Sequence, residues 1–156
     1  RAWRPSFELV THVLEVTYDV WERSLAKLVE EHRPDAVVAF GLSAGATSFT
    51  IETTARNVLD PARPDARGAL PEGSRIDADG PDTYESTLRF SHAYALSDDA
   101  GSYVCNLTLY WLLANGVRAT FVHLPALSRP ELRTGARHIL DAAAQSVREA
   151  SARRHE

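Results

Sequence analysis

The sequence predicts an α/β protein in which helices cover both faces of a twisted, mostly parallel open sheet, giving three α/β/α layers. Two observations lead to this prediction. Short apolar runs rich in β-branched residues, each too brief for a helix, recur along the 156 residues. Between them lie segments whose apolar residues repeat at helical spacing. Strands joined through helices are typical of parallel sheets.

The first elements are a strand, a helix and a second strand. Residues 7–19 hold β-branched residues in loose alternation and indicate a strand. A helix follows over 19–32, with apolar residues on one side and charges on the other, and Pro34 ends it. Residues 35–42, "DAVVAFGL", are continuously apolar and indicate a buried strand. Together they predict a parallel βαβ unit.

The rest of the chain alternates less regularly. Residues 48–57 begin as an extended segment, and 58–81 are rich in Pro, Gly, Asp and Arg, which indicates a long irregular loop. Strands are predicted at 92–96 and within 116–125. Helices are predicted from Tyr103 and, as a long amphipathic stretch, from Pro130.

Composition excludes several classes of function. A net charge of −4 without a basic stripe disfavours nucleic acid as a partner. The longest apolar runs fall short of the roughly 20 residues that a membrane helix needs, and the start of the chain lacks the apolar core of a signal peptide. One cysteine cannot form an intrachain disulfide, so we expect a reducing, cytoplasmic location. We expect no metal and no cofactor.

Cys105, the only cysteine, is either a buried packing residue or a nucleophile. A lone cysteine most often packs in a core. Here it falls in the first turns of a predicted helix, where unpaired N–H groups and the helix dipole stabilise a thiolate. Asp98 and Asp99 can cap the same helix start, where their charge would oppose a thiolate unless they point away.

A cysteine nucleophile needs a base and a group that fixes the base. Of six histidines, His123 ends a predicted strand, and the carboxyl ends of parallel strands form the ligand crevice of open α/β sheets. Glu52 follows three residues that indicate a half-buried strand, so its carboxylate can enter a cleft and pair with a protonated histidine. The alternatives remain a hydrogen-bonded strand-end histidine and an exposed glutamate.

The segment "GLSAG", residues 41–45, offers a competing hypothesis based on serine. It follows a predicted strand and is similar to the G-x-S-x-G elbow of serine hydrolases. The residues after it favour a strand over a helix, so Ser43 is a poorer candidate than Cys105. Gly41 and Gly45 could instead let backbone amides approach a substrate.

Five short motifs in one order resemble those of pyroglutamyl peptidase type I, the pyrrolidone-carboxylate cysteine peptidases. They run from about Pro34 to Pro125: "FGLSAGATSFTIETTARN", "PDARG", "GPDTYESTL", "SDDAGSYVCN" and "FVHLP", with "HRPDAVVAFGL" ahead of them. The family's A-G-x-x-x-C-N motif falls on Cys105. Its aromatic–aliphatic–His–aliphatic–Pro motif falls on His123, and its glutamate motif falls on Glu52. These are the three residues that the physical reasoning had selected.

The resemblance implies a phosphorylase/hydrolase-like fold, one peptidase domain over 1–156, and removal of N-terminal pyroglutamate from peptides. It also implies a homo-oligomer, with a tetramer as one form. Cys105 would be the nucleophile, His123 the base and Glu52 the group that orients the base. The implied substrate-binding residues are Tyr103, Gly41, Leu42 and Asn106.

Several departures from the family keep other hypotheses open. The family's N-terminal strand and F-x-P-F-G loop have no match here, and only "RFSHAYAL" stands where the family has a helix and a strand. Thr53 replaces the usual Arg of the glutamate motif, and Ala66 replaces the usual Asn of the P-D-N-x-G motif. The arginine that the family has just upstream of that motif is shifted by one residue, so that Ala62 stands in its place and Arg63 follows. The alternatives are altered amide or cyclic acyl-amino specificity, and a catalytically silent binding protein. A purine-phosphorylase-like enzyme would need a phosphate-binding constellation that the sequence does not provide.

Overall fold

The computed structural model describes residues 2–91 and 93–154, which form nine principal elements and a short π-helical stretch. In chain order these are a π-helical Trp21–Leu25, α1 Ala26–His32, β1 Val37–Leu42, β2 Thr50–Glu52, β3 Thr54–Arg56, β4 Thr83–Glu85, β5 Ala95–Ser97, α2 Val104–Ala114, β6 Ala119–Leu124 and α3 Arg129–Ala152. His92, the first residue of the strand predicted at 92–96, lies outside the described residues.

A four-stranded sheet in the order β1-β6-β2-β5 forms the centre of the fold. Strands β1 and β6 pair in parallel, with Gly41 opposite His123. Strand β2 runs parallel to β5 and antiparallel to β6. Strands β3 and β4 form a separate antiparallel ladder directly after β2. The sheet is therefore mixed and mostly parallel, which confirms the predicted fold class.

The side chains of β6 alternate between two apolar cores. Phe121 packs in the core that contains buried residues of α2, whereas Val122 packs with Ile51 and with Ile139 of α3. Because successive side chains of a strand point to opposite faces, α2 and α3 cover opposite faces of the sheet. This gives the three predicted layers.

The predicted strand at 7–19 is wrong, and with it the predicted βαβ unit. This segment is irregular, and its apolar side chains Leu9, Val10, Val13 and Val16 are exposed. Strand propensity largely reflects packing against neighbouring strands. No strand in residues 2–91 and 93–154 pairs with this segment, so β-branched composition alone does not make it a strand.

The predicted helices are confirmed. The first ends at Arg33, whose left-handed φ of 43° breaks the helix just before Pro34. Helix α3 begins with a capping box, in which Ser128 and Glu131 satisfy each other's backbone N–H groups. None of the helices in the described ranges combines the length and the apolar character needed to cross a membrane.

Two buried polar side chains hold the long loop between β3 and β4. Asn57 accepts bonds from the amides of Ile76 and Asp77 (2.8 and 2.9 Å) and donates to the carbonyls of Asp77 and Gly80 (2.7 and 3.2 Å). The carboxylate of Asp65 accepts from three backbone amides, those of Tyr18, Arg67 and Ala69. The loop is therefore fixed without regular secondary structure.

Candidate active site

Cys105 is the second residue of α2, as the sequence predicts. The helix starts after Tyr103, which has extended backbone angles and supplies no side-chain cap. The first amides of α2 are therefore left uncapped at the positive end of the helix dipole. A thiolate is stabilised in such a place.

Of the two arrangements left open for Asp98 and Asp99, the structure shows the one in which they do not cap this helix. Asp99 Oδ1 instead accepts a bond from the amide of Gly101 at 3.0 Å. Both carboxylates face Arg56, at 3.6 Å each. The single positive charge of Arg56 partly offsets the two negative charges on this side, next to β3.

His123 reaches the same place from β6. Its side chain lies on the face that also carries Phe121, with the two ring centroids 5.0 Å apart. Gly41 is its partner across the strand pair. A Cβ added to Gly41 would stand 3.7 Å from the Cys105 sulfur and only 2.8 Å from the Phe121 ring. The strand can pass this close to the thiol and the Phe121 ring because residue 41 has no side chain.

Glu52 completes the group from β2. Nδ1 of His123 lies 2.7 Å from Oε1 of Glu52, a distance typical of a charge-assisted bond in which the imidazole donates. The Glu52 side chain is 4% exposed and that of His123 is 16% exposed. With Nδ1 committed to Glu52, Nε2 is the ring nitrogen available to the thiol.

The electrostatics favour a charged imidazole. The pKa of His123 is raised to about 9, first by its hydrogen bond with the Cys105 side chain and then by Glu52, while burial opposes the rise. The imidazolium is therefore the dominant form at neutral pH. The site therefore combines a thiol, an imidazole and a buried carboxylate, which are side-chain types that cysteine peptidases use.

Known proteins are similar to this chain in sequence and in architecture. The sequence model of the pyroglutamyl peptidase family matches residues 6–137. The chain belongs to the pyroglutamyl peptidase family.

Individual relatives agree with this assignment. A pyrrolidone-carboxylate peptidase of Thermococcus onnurineus is 32% identical over 144 residues, covering 79% of this chain and 72% of that protein. Another, from Pseudomonas fluorescens strain SBW25, is 37% identical over 125 residues, covering 71% of this chain and 58% of that protein. The structure of pyroglutamyl peptidase I of Bacillus amyloliquefaciens has a TM-score of 0.80 at 22% identity, covering 92% of this chain and 82% of that chain. This last likeness concerns the fold.

The residues that the family resemblance implies for substrate binding differ from one another in their contacts. Leu42 is exposed at the end of β1, beside Gly41. The hydroxyl of Tyr103 donates to the carbonyl of Pro64 at 3.1 Å, and the guanidinium of Arg63 lies 3.7 Å above its ring. The structure thus brings Gly41 next to Cys105 but gives Tyr103 contacts within the chain.

Asn106 is fully buried and all of its polar atoms are engaged. Its Oδ1 accepts from the amide of Arg56 at 2.9 Å, and its Nδ2 donates to the carbonyls of Arg56 and Val58 at 2.7 and 3.0 Å. These bonds join the first turn of α2 to β3. Contacts of Tyr103 and Asn106 with a substrate stay predictions.

Ser43 lacks the setting of a serine nucleophile. An elbow serine sits between a strand and a helix, but the element after Ser43 is strand β2. Its amide donates to the carbonyl of Leu124 at 3.1 Å, which continues the pairing of β1 with β6. The sequence-based preference for Cys105 over Ser43 agrees with this arrangement.

Sequence reasoning missed Arg56. Nothing local identifies it, because its partners lie more than 40 residues away and an arginine at the end of a short strand is usually solvated. The pair of acids at Asp98 and Asp99 was the available signal, since two adjacent negative charges attract a cation.

Proposed function

We propose that this chain is a cysteine exopeptidase that removes N-terminal pyroglutamate from peptides through Cys105, His123 and Glu52. The observation that carries the proposal is the 2.7 Å bond between His123 Nδ1 and Glu52 Oε1, made opposite Gly41, where an added Cβ would stand 3.7 Å from the Cys105 sulfur. The names of the relatives, pyrrolidone-carboxylate peptidases, support the choice of substrate.

The reaction begins with transfer of the Cys105 proton to His123. The thiolate attacks the carbonyl carbon that follows the lactam ring, and the carbonyl π electrons move onto oxygen. The uncapped amides at the start of α2 are placed to stabilise that oxyanion. As the C–N bond breaks, Nε2 of His123 gives its proton to the leaving amine. The acyl group stays on sulfur as a thioester.

Water completes the cycle. Neutral His123 removes a proton from a water molecule, which attacks the thioester and releases pyroglutamate with return of the thiolate–imidazolium pair. Throughout, Glu52 holds the Nδ1–H tautomer and stabilises the positive ring. Its burial keeps this interaction strong because water does not screen it.

We also propose that the enzyme works in the cytoplasm as a homo-oligomer. A free, partly accessible thiol beside a cationic histidine is oxidised readily, and a reducing compartment preserves it. Light scattering coupled to gel filtration tests the oligomer, and a monomer at working concentration would remove that part of the proposal.

The test uses a fluorogenic pyroglutamyl amide with wild type, Cys105→Ser and Ser43→Ala. We expect wild type and Ser43→Ala to cleave it at similar rates, Cys105→Ser to be inert, and iodoacetamide to abolish wild-type activity with one equivalent incorporated. An active Cys105→Ser enzyme would overturn the catalytic assignment. Equal cleavage of an unblocked amino-acid amide would overturn the lactam specificity.

One observation favours a second candidate, a family member with another amide or cyclic acyl-amino substrate. The aromatic side chain of Tyr103, predicted to line the ring pocket, is occupied by Arg63 and Pro64. A panel of N-terminal lactams and acyl groups of different ring size distinguishes the two candidates by kcat/KM. A preference of less than about tenfold for the five-membered lactam, about 1.4 kcal/mol, favours the second.

A further inference from the structure

The start of α2 combines two requirements that normally conflict. Its first amides must stay free to stabilise an oxyanion, so no side chain can cap them. A missing N-cap weakens a helix start by about 1 kcal/mol, and frayed first turns are mobile. Cys105 lies in this uncapped turn. Something other than a cap must therefore hold it in place.

Arg56 makes the required contacts with the segment before the helix. Its Nε donates to the carbonyl of Asp98 at 3.2 Å. Its two terminal nitrogens face the carboxylates of Asp98 and Asp99, each at 3.6 Å. One guanidinium thus binds a main-chain oxygen and two side chains at the beginning of the loop 98–103.

The backbone of Arg56 is itself fixed to α2. Asn106, the residue after Cys105, bonds both the amide and the carbonyl of Arg56. A further bond, from the amide of Asp60 to the carbonyl of Ser102 at 2.9 Å, holds the end of the loop. Arg56 therefore ties β3 to the beginning of the loop through its side chain and to Asn106 through its backbone, and Cys105 lies between these two ties.

We propose that Arg56 is a positioning residue for Cys105, which holds the loop 98–103 against β3 so that the thiol and the first amides of α2 keep one arrangement during the reaction. The proposal rests on the proposed function. Arg56 does not touch the reacting atoms; it acts through Asp98 and Asp99. The individual ion pairs are exposed, with Asp98 83% and Asp99 58% accessible, so their contribution to global stability is small. The expected effect is therefore on turnover more than on folding.

The experiment compares Arg56→Ala, Arg56→Lys, Asp98→Asn/Asp99→Asn and the triple variant Arg56→Ala/Asp98→Asn/Asp99→Asn. Arg75→Ala is the matched control, because Arg75 also joins a carboxylate and a carbonyl, those of Asp82 and Gly80, at 3.1 and 3.0 Å. Each protein is measured for kcat and KM on a pyroglutamyl amide, for the rate of Cys105 alkylation by iodoacetamide, and for its thermal midpoint.

We expect Arg56→Ala to lower kcat about tenfold with KM changed less than about twofold, the pattern of an interaction that matters in the transition state. The alkylation rate falls in the same variant, Arg56→Lys recovers most of the loss, and Arg75→Ala behaves as wild type. Because Arg56 acts through the two acids, the triple variant is no slower than Arg56→Ala alone. Additive losses, a loss confined to KM, or equal effects of Arg56→Ala and Arg75→Ala would each overturn the proposal.

Alkylation separates this proposal from the proposed function. If wild type does not cleave the pyroglutamyl amide while Arg56→Ala still slows alkylation, the substrate assignment fails and the positioning role stands. If wild type is active but Arg56→Ala matches Arg75→Ala in turnover and alkylation, only the positioning role fails. Should Arg56→Ala not fold, the exposed Asp98→Asn/Asp99→Asn substitutions test the same contact, and wild-type kcat and alkylation in that variant would refute it.

Discussion

Replacing Glu52 by Gln probes how strongly the buried carboxylate supports His123. The substitution keeps the size of the side chain and an oxygen that can accept the Nδ1–H bond, but it removes the negative charge. It also introduces an amide NH2 where Oε2 now lies buried and without a partner in the described part of the chain. Activity and the protonation of His123 should both respond.

The magnitude follows from the geometry and the pKa of His123. A hydrogen bond to a charged group contributes about 1.5–3 kcal/mol and a neutral one about 0.5–1.5 kcal/mol, so removing the charge costs about 1–1.5 kcal/mol and predicts a roughly five- to tenfold fall in kcat/KM. The pKa of His123 is raised from 6.5 to about 9, with Cys105 as the larger cause and Glu52 as the second. Removing the charge of Glu52 therefore lowers the pKa of His123 from about 9 toward its ordinary value.

The direction of the pH dependence follows from which protonation state of His123 the folded protein favours. A raised pKa means that the folded state favours imidazolium, so this stabilisation is complete below pH 6.5 and disappears as the pH rises through about 9. In Glu52→Gln, the alkaline limb of kcat/KM should therefore move to lower pH. The difference in unfolding free energy from wild type should shrink between pH 6.5 and 9.

Fixed-time activity assays from pH 5 to 10.5 give kcat/KM, and urea unfolding at the same pH values gives the free energy of unfolding. Glu85→Gln is the control, because Glu85 accepts bonds from Thr54 in the neighbouring ladder, at 2.9 and 3.0 Å. If Glu52→Gln keeps the wild-type alkaline limb and loses less than about threefold in kcat/KM, the carboxylate does not support the imidazole as described.

Three further substitutions test the surroundings of the site. Gly41→Ala places a Cβ 2.8 Å from the Phe121 ring, so kcat/KM should fall about tenfold, with about 1–3 kcal/mol lost in urea unfolding; unchanged kinetics would contradict the close packing. Asn57→Ala removes four hydrogen bonds and should lower the free energy of unfolding by about 2–4 kcal/mol in the same assay. The loop between β3 and β4 should also be cleaved faster by a protease. A loss below about 0.5 kcal/mol would be inconsistent with Asn57 holding this loop. Burial acts to raise the pKa of Asp65, but three backbone amides outweigh it and hold that pKa below its ordinary value. Its stabilisation should be lost as the pH falls through the lowered pKa, and Asp65→Asn should flatten the acid side of the stability curve; a parallel curve would refute this.

Elements with strong local patterns were predictable from the sequence. Strands β1 and β6 are short apolar runs closed by Gly or Pro, and α2 and α3 have clear apolar spacing, so their positions follow from residues close in the chain. The three site residues were also accessible, because each falls where an element begins or ends. The family motifs then fell on the same three residues.

Features that depend on distant partners were not predictable. The segment 7–19 has strand-like composition but no neighbouring strand in the described chain, and composition does not reveal that. Asp98 and Asp99 are residue types that often cap helices, yet their carboxylates pair with Arg56 of a strand distant in sequence. The family motif selects Asn106 for substrate binding, but nothing in the sequence indicates that its amide also joins α2 to β3.

Cys105 and His123 belong to consecutive elements, while Glu52 comes from 71 residues before the histidine. Contacts close in sequence form early in folding, and distant ones wait for loop closure. A refolding chain would therefore bring together the proposed nucleophile and base as a local unit, and the proposed orienting acid would join them only once β2 docks onto β6. During refolding, turnover would then return only after the whole sheet has formed, so an activity assay would measure the last step of folding.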